Sequence, residues 1–148
     1  APVSSDEMVA RRQAATHKWW EEEAPKYDLF LSDIVRKEAE QGNPERARAR
    51  LSIIKDIRMV VESEEVGRLT RLLLAAHALP HNSTTDAAHI AIATVHCADI
   101  VLTWNCRHIA NPVTLPKTVE TIAKAGWHCP ALATPAQLLE ARNDRPVA

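Results

Sequence analysis

The sequence predicts an α/β fold with a parallel sheet. Short apolar runs alternate with amphipathic segments along the chain, and that alternation is the pattern of strand–helix–strand units. Ser, Thr or Asn stands ahead of most of the amphipathic segments, where a side-chain oxygen can cap a helix. Only three glycines occur in 148 residues, so helix should dominate. That length suits one domain with a real core.

Ser4 or Ser5 caps a first helix running from Asp6 to about Glu23, with Met8, Ala15 and Trp19 as its buried stripe. Pro25 ends it. Tyr27–Leu31 forms a short strand, and Ser32 or Asp33 caps a helix that stops at Gly42. Asn43-Pro44-Glu45 opens the next helix, with Pro44 at its first position and Ala47, Leu51 and Ile54 as apolar positions. Arg58–Glu62 is a second strand. Ser63 caps a helix whose Val66, Leu69, Leu73 and Leu74 keep helical spacing. Thr84 or Thr85 then caps a helix from Asp86 to about His96, and Asp99 leads the strand Ile100–Leu102. Lys117–Ala125 is helical and ends at Gly126, Pro130–Ala133 is a last short strand, and Thr134-Pro135 opens a final helix. The tail 143–148 is expected to fray.

Charge and cysteine use narrow the function. Eighteen basic and nineteen acidic residues balance, which removes any global electrostatic case for nucleic-acid binding. No apolar run reaches the length of a membrane helix, and no signal segment opens the chain. Three cysteines without a CxxC spacing point to reduced thiols and a cytoplasmic location. His96, Cys97, Cys106 and His108 match no common zinc spacing. Arg46, Arg48 and Arg50 share one helix, whose plain reading is a solvated face.

Thr85–His108 carries the densest chemistry. Asp86 heads its helix, where an acid also stabilises the helix dipole. His89, three residues on, shares its face, and its plain reading is a half-buried structural histidine. The strand Ile100–Leu102 runs into Thr103, Trp104, Asn105, Cys106, Arg107 and His108, and ligands of open α/β sheets bind beyond strand carboxyl ends. Glu38 lies in a helix directly after a strand, and helical side chains lean toward the helix N-terminus. Paired with Asp86, it makes a candidate site for a divalent metal that prefers oxygen ligands. Trp104 offers a stacking face for an unpaired base, and Arg107 a contact to phosphate. Trp104 is equally well read as a packing anchor.

From Arg11 to about Leu139, the segments HKWWEE, FLSDIVRKEAEQGNPE, DAAHIAIATVHCADIVLTWNCRHIANP and ATPAQLL together resemble the PIN domains of the VapC-like ribonuclease superfamily, in particular a branch with a TWNCRH-type segment. The resemblance implies a three-layer α/β/α sandwich with a central parallel sheet. It implies metal-dependent hydrolysis of RNA phosphodiester bonds with Mg²⁺ or Mn²⁺, and toxin-like action with a partner antitoxin. It also implies a homodimer. Glu38 matches the family acid on the helix after the second strand, and Asp86 the acid heading the later helix; both are implied metal ligands. Thr103 matches the hydroxyl at the end of the next strand. Asn105 and His108 fall where many members carry further acids, so the implied catalytic set is Glu38, Asp86, Thr103, Asn105 and His108. The family opens with a central strand bearing an Asp, and nothing before Trp19 reads as that strand. The single domain 1–148 is therefore expected to lack its first strand at the N-terminus, or to have the gap filled by another segment or chain. The rival expectation is a catalytically impaired PIN-like module that binds a protein partner or RNA.

Overall fold

The computed structural model describes residues 5–142, so the expected fraying of 143–148 lies outside the described residues. Helix α1 (Ser5–Glu22) ends in a 3₁₀ turn at Ala24–Lys26, with Pro25 in its first positions. Strand β1 (Phe30–Ser32), α2 (Asp33–Ala39), α3 (Pro44–Ile54) and β2 (Arg58–Val60) follow. Then come α4 (Glu64–Ala75), α5 (Thr84–Val95), β3 (Ile100–Leu102), α6 (Leu115–Lys124), β4 (Ala131–Ala133) and α7 (Pro135–Ala141). Among the described residues no helix is long and apolar enough to cross a membrane.

The helices start where local chemistry starts them. Ser32 Oγ accepts from Val35 N (3.1 Å) and Asn43 Oδ1 from Glu45 N (2.9 Å). Thr134 and Gln137 close a reciprocal capping box. Helix α5 differs. Its N-cap is Ser83 rather than Thr84 or Thr85, and Ser83 makes no side-chain cap bond. Its hydroxyl is turned instead to His108 Nδ1, 3.3 Å away.

β1 pairs with β2 and β3 with β4, both in parallel. Leu31 lies opposite Met59, and Val101 opposite Leu132. These are two separate two-stranded sheets; the single central sheet expected from the sequence is not formed among the described residues. Strand pairing is non-local, and no capping or periodicity signal reports it. Pairing also moves β1 downstream of the expected Tyr27–Leu31, because the register with Arg58–Val60 begins at Phe30.

The core sits around α4 and α5. Val66, Leu69 and Leu73 meet Ile90, Ala91 and Ile92, with Ile109 and Ile122 completing the cluster. Helix α5 is buried along nearly its whole length, from Ala87 to Thr94, which its small residues permit. The expected stripe of α1 shrinks: Trp19 is buried, Ala15 is half-buried and Met8 is exposed. Among the described residues of that helix, Trp19 near its C-terminal end is the buried one. There Arg142, just past α7, bonds Glu22 and the buried Glu23.

Candidate active site around Asp86

Asp86 occupies the first turn of α5, where backbone N–H groups favour a carboxylate. Both of its oxygens are engaged. Oδ1 accepts from Asn105 Nδ2 at 2.9 Å, and Oδ2 lies 2.8 Å from His108 Nδ1. A carboxylate only accepts, so Nδ1 carries the hydrogen of this contact, and the neutral tautomer that fits it would have its lone pair on Nε2. Asp86 and His108 are each about one-quarter exposed, so solvent and a ligand can reach the pair.

The loop after β3 is shaped to make this pair. Thr103 N donates to Ala133 O, continuing the ladder past β3. Thr103 Oγ1 accepts from Asn105 N at 3.0 Å, and Asn105 Oδ1 accepts from His108 N at 3.0 Å. Asn105 O also accepts from Ile109 N and Ala110 N. Asn105 thus holds the turn with its acceptors and holds Asp86 with its donor. An acid at position 105 could not donate to Asp86, which gives the amide a physical role there.

Glu38, halfway exposed on α2, receives the second histidine: His89 Nε2 lies 2.9 Å from Glu38 Oε1. His89 is three residues after Asp86 on α5, so Glu38 is tied to the helix that carries Asp86. The sequence had offered Glu38, Asp86, Thr103, Asn105 and His108 as one site. The structure joins Asp86, Asn105, His108 and Thr103 by direct bonds, and links Glu38 to the same helix through His89. Two participants were not picked out as functional, His89 and Ser83. The i,i+3 spacing from Asp86 was the available signal for His89. Its partner lies 51 residues away, which no local pattern reports.

The proposed RNA contacts sit differently. Arg107 is exposed and uncommitted through its guanidinium among the described residues. Trp104 donates its indole N–H to Thr16 Oγ1 at 2.7 Å, and the Arg12 guanidinium lies 5.3 Å from its ring centroid. One face of Trp104 is therefore already covered by a cation. Arg50 reaches back to the carbonyls of Ala39 and Gln41, so it clamps the turn between α2 and α3. His96 bonds Val61 O while His108 bonds Asp86. The zinc grouping of His96, Cys97, Cys106 and His108 does not assemble, and among the described residues no three His, Cys, Asp or Glu side chains gather around one point.

Each carboxylate oxygen has two lone-pair sites. Asp86 can therefore keep both hydrogen bonds and still offer an oxygen to a cation, and Glu38 Oε2 has no bond to any described residue. The oxygen donors suit a hard ion that retains several waters. Comparison with family models, curated proteins and solved structures finds no match to the chain.

Proposed function

We propose that the chain is a PIN-like endoribonuclease of the VapC-like superfamily that uses Mg²⁺ or Mn²⁺. The observation that carries this reading is the attachment of both candidate acids to one helix. Asp86 stands in the first turn of α5, and Glu38 bonds His89 on the same face. On this reading the two parallel strand pairs are halves of one central sheet in an α/β/α sandwich. Glu38 and Asp86 would hold the ion. When bound, the ion supplies charge neutralisation at the phosphate and a more acidic water. His108, oriented through Nδ1 by Asp86, takes or gives a proton at Nε2. Thr103 and Asn105 keep the loop in the shape that aims His108. Arg107 meets a phosphate of the RNA, which steers binding without reading bases. An antitoxin that covers the site, a homodimer and a cytoplasmic location complete the reading.

The second reading is a PIN-like module that binds protein or RNA without cutting. It is favoured by one observation: both oxygens of Asp86 are already engaged by an amide and an imidazole. Mn²⁺ titration and RNA cleavage separate the two. Saturable Mn²⁺ binding and cleavage are expected for the nuclease. Cleavage should fall to background in both Glu38→Ala and Asp86→Ala, and by about a hundredfold or more in His108→Ala. Cleavage that survives both acid substitutions would falsify the nuclease mechanism. RNA binding without saturable Mn²⁺ binding would establish the module instead.

A further inference from the structure

The turn from Thr103 to His108 carries Asn105 and His108 to Asp86, and much of its hydrogen bonding is internal. Thr103 Oγ1 accepts from Asn105 N at 3.0 Å, Trp104 O from Cys106 N at 2.9 Å, and Asn105 Oδ1 from His108 N at 3.0 Å. Internal bonds fix the shape of a turn. Its orientation depends on where it is attached to the rest of the molecule. It begins at the ladder bond from Thr103 N to Ala133 O and ends at the buried Ile109 and Ala110. Between these points the side chain of Trp104 reaches another element, α1, at a residue 88 positions away.

The contact with α1 has two parts. Trp104 Nε1 donates to Thr16 Oγ1 at 2.7 Å, and the Arg12 guanidinium stands 5.3 Å from the centre of the ring. Residues 12 and 16 are one helical turn apart and so share a face of α1. The hydroxyl of Thr16 donates back to Arg12 O at 2.8 Å, which leaves an oxygen lone pair for the indole. Arg12 covers the ring face, where the indole quadrupole attracts a cation. Arg12 and Thr16 are exposed and Trp104 is half-buried, so the grip is polar and directional and does not come from core burial. Helix α1 is fastened separately at its far end, where Arg142 bonds Glu22 and Glu23. It can therefore serve the turn as a fixed support.

We propose that Trp104 is a positioning residue. Held by Arg12 and Thr16, its indole sets the orientation of the 103–108 turn. That orientation brings Asn105 Nδ2 and His108 Nδ1 onto the two oxygens of Asp86. Trp104 thus acts through Asn105 and His108 and not on the RNA. The proposal deepens the nuclease reading and rests on it for the link to catalysis, whereas the state of the Asp86–His108 pair can be measured without RNA.

Three variants test it. Thr16→Val removes the acceptor and keeps the shape, Thr16→Ser keeps the acceptor, and Trp104→Phe keeps a ring for stacking but loses the donor. The first readout is nitrogen NMR of the His108 side chain above neutral pH. The parent and Thr16→Ser should show the form with hydrogen on Nδ1. In Thr16→Val and Trp104→Phe part of it should give way to the Nε2–H form, and the Nδ1 hydrogen should exchange with water about tenfold faster. A role confined to stability would lower the Tm and leave this signature alone. The second readout is RNA cleavage with Mn²⁺. In Thr16→Val and Trp104→Phe kcat should fall about tenfold, because a displaced proton-transfer group loses its reach. KM should stay within about twofold, and Thr16→Ser should cleave like the parent. If the parent does not cut RNA, the nuclease reading fails and the His108 signature still decides the positioning. A parent without the Nδ1–H form, the parent signature in Thr16→Val, or its loss in Thr16→Ser overturns the proposal. So does a raised KM at unchanged kcat in Trp104→Phe, which would assign the indole to contact with RNA. Disturbance of His108 by Trp104→Phe alone would assign it to packing, and overturns the proposal as well.

Discussion

Leu73 on α4 is fully buried, whereas Leu51 on α3 is only half-buried. Both are apolar positions of capped helices leading away from or toward a parallel strand. The difference extends to their surroundings. The region α4–α5–β3–α6–β4 holds the cluster of Val66, Leu69, Leu73, Ile90, Ile92 and Ile122. Between Pro25 and Val61, around β1, α2, α3 and β2, Ala47 is the one buried apolar side chain. The two helices also differ locally: α4 gathers its apolar residues on one face far more sharply than α3, and a core needs both such a face and a second layer to meet it. Helix α5 supplies that layer to α4, whereas Phe30 and Leu31 of β1 line a cavity of about 710 Å³. The candidate site follows the same division. Asp86, Asn105, His108 and Thr103 belong to the packed region and are fixed by mutual bonds, while Glu38 belongs to the loose region and is held through His89.

The largest expected effect sharpens that contrast. Leu73→Ala removes a fully buried side chain from the cluster and should cost about 2–5 kcal/mol. Leu51→Ala removes a half-buried one beside open space and should cost about 1 kcal/mol or less. Urea unfolding measures both. Equal costs would mean that the loose region is packed in solution as tightly as the other.

Much of this architecture was legible in the sequence. Ser32, Asn43, Ser63 and Thr134 cap helices as their residue types and positions foretold, and β3 spans Ile100–Leu102 as expected. Those signals are local. What was not legible is non-local. The division of four strands into two pairs depends on which edges meet, and the contact of His89 with Glu38 spans 51 residues. The cap of α5 moved to Ser83 because tertiary structure drew that hydroxyl to His108. Met8 kept helical spacing yet stays exposed, while Trp19 on the same helix is buried. For the site, residue types suggested Glu38 and Asp86, but not that a histidine would attend each of them.

A middle-sized effect should come from the clasp that fastens α1 to α7. The Arg142 guanidinium bonded to Glu23 holds its carboxyl below the ordinary carboxylate value, Lys26 adds to this, and burial opposes it. A carboxylate with a depressed folded pKa stabilises above its unfolded value and loses that contribution as pH falls through the folded value. Thermal stability of the protein should therefore drop on acidification below about pH 4.3. Glu23→Gln should lower the Tm at pH 7, and the gap to the parent should close as pH falls. A gap that stays constant with pH would show that the clasp acts through packing alone.

The smallest effect concerns the left-handed residues that end helices, which in the packed region are glycine after α6, at Gly126, but non-glycine after α4 and α5. Helices α4 and α5 both end with a non-glycine residue in the left-handed region: His77 and Cys97 each have φ of 58°. Both ends are closed by the same bonds, Ala78 N to Leu73 O and Ala98 N to Ala93 O, each with a second bond one residue inside. In the loose region, the left-handed position that follows α2 is given to Gly42, with φ of 87°. A side chain in that conformation costs about 1 kcal/mol or somewhat more, and it persists where surrounding packing over-determines the backbone. Leu73 and Ala93, whose carbonyls receive those bonds, are buried at the packed helix ends. His77→Gly should then stabilise the protein by up to about 1 kcal/mol, less what glycine adds to the freedom of the unfolded chain. Gly42→Ala should destabilise by a comparable amount, and locally: exchange at α2 amides should quicken while α5 amides keep their protection. If His77→Gly instead destabilises, the imidazole contributes more than its strain costs. If Gly42→Ala unfolds α5 together with α2, the two regions form one cooperative unit despite their different packing.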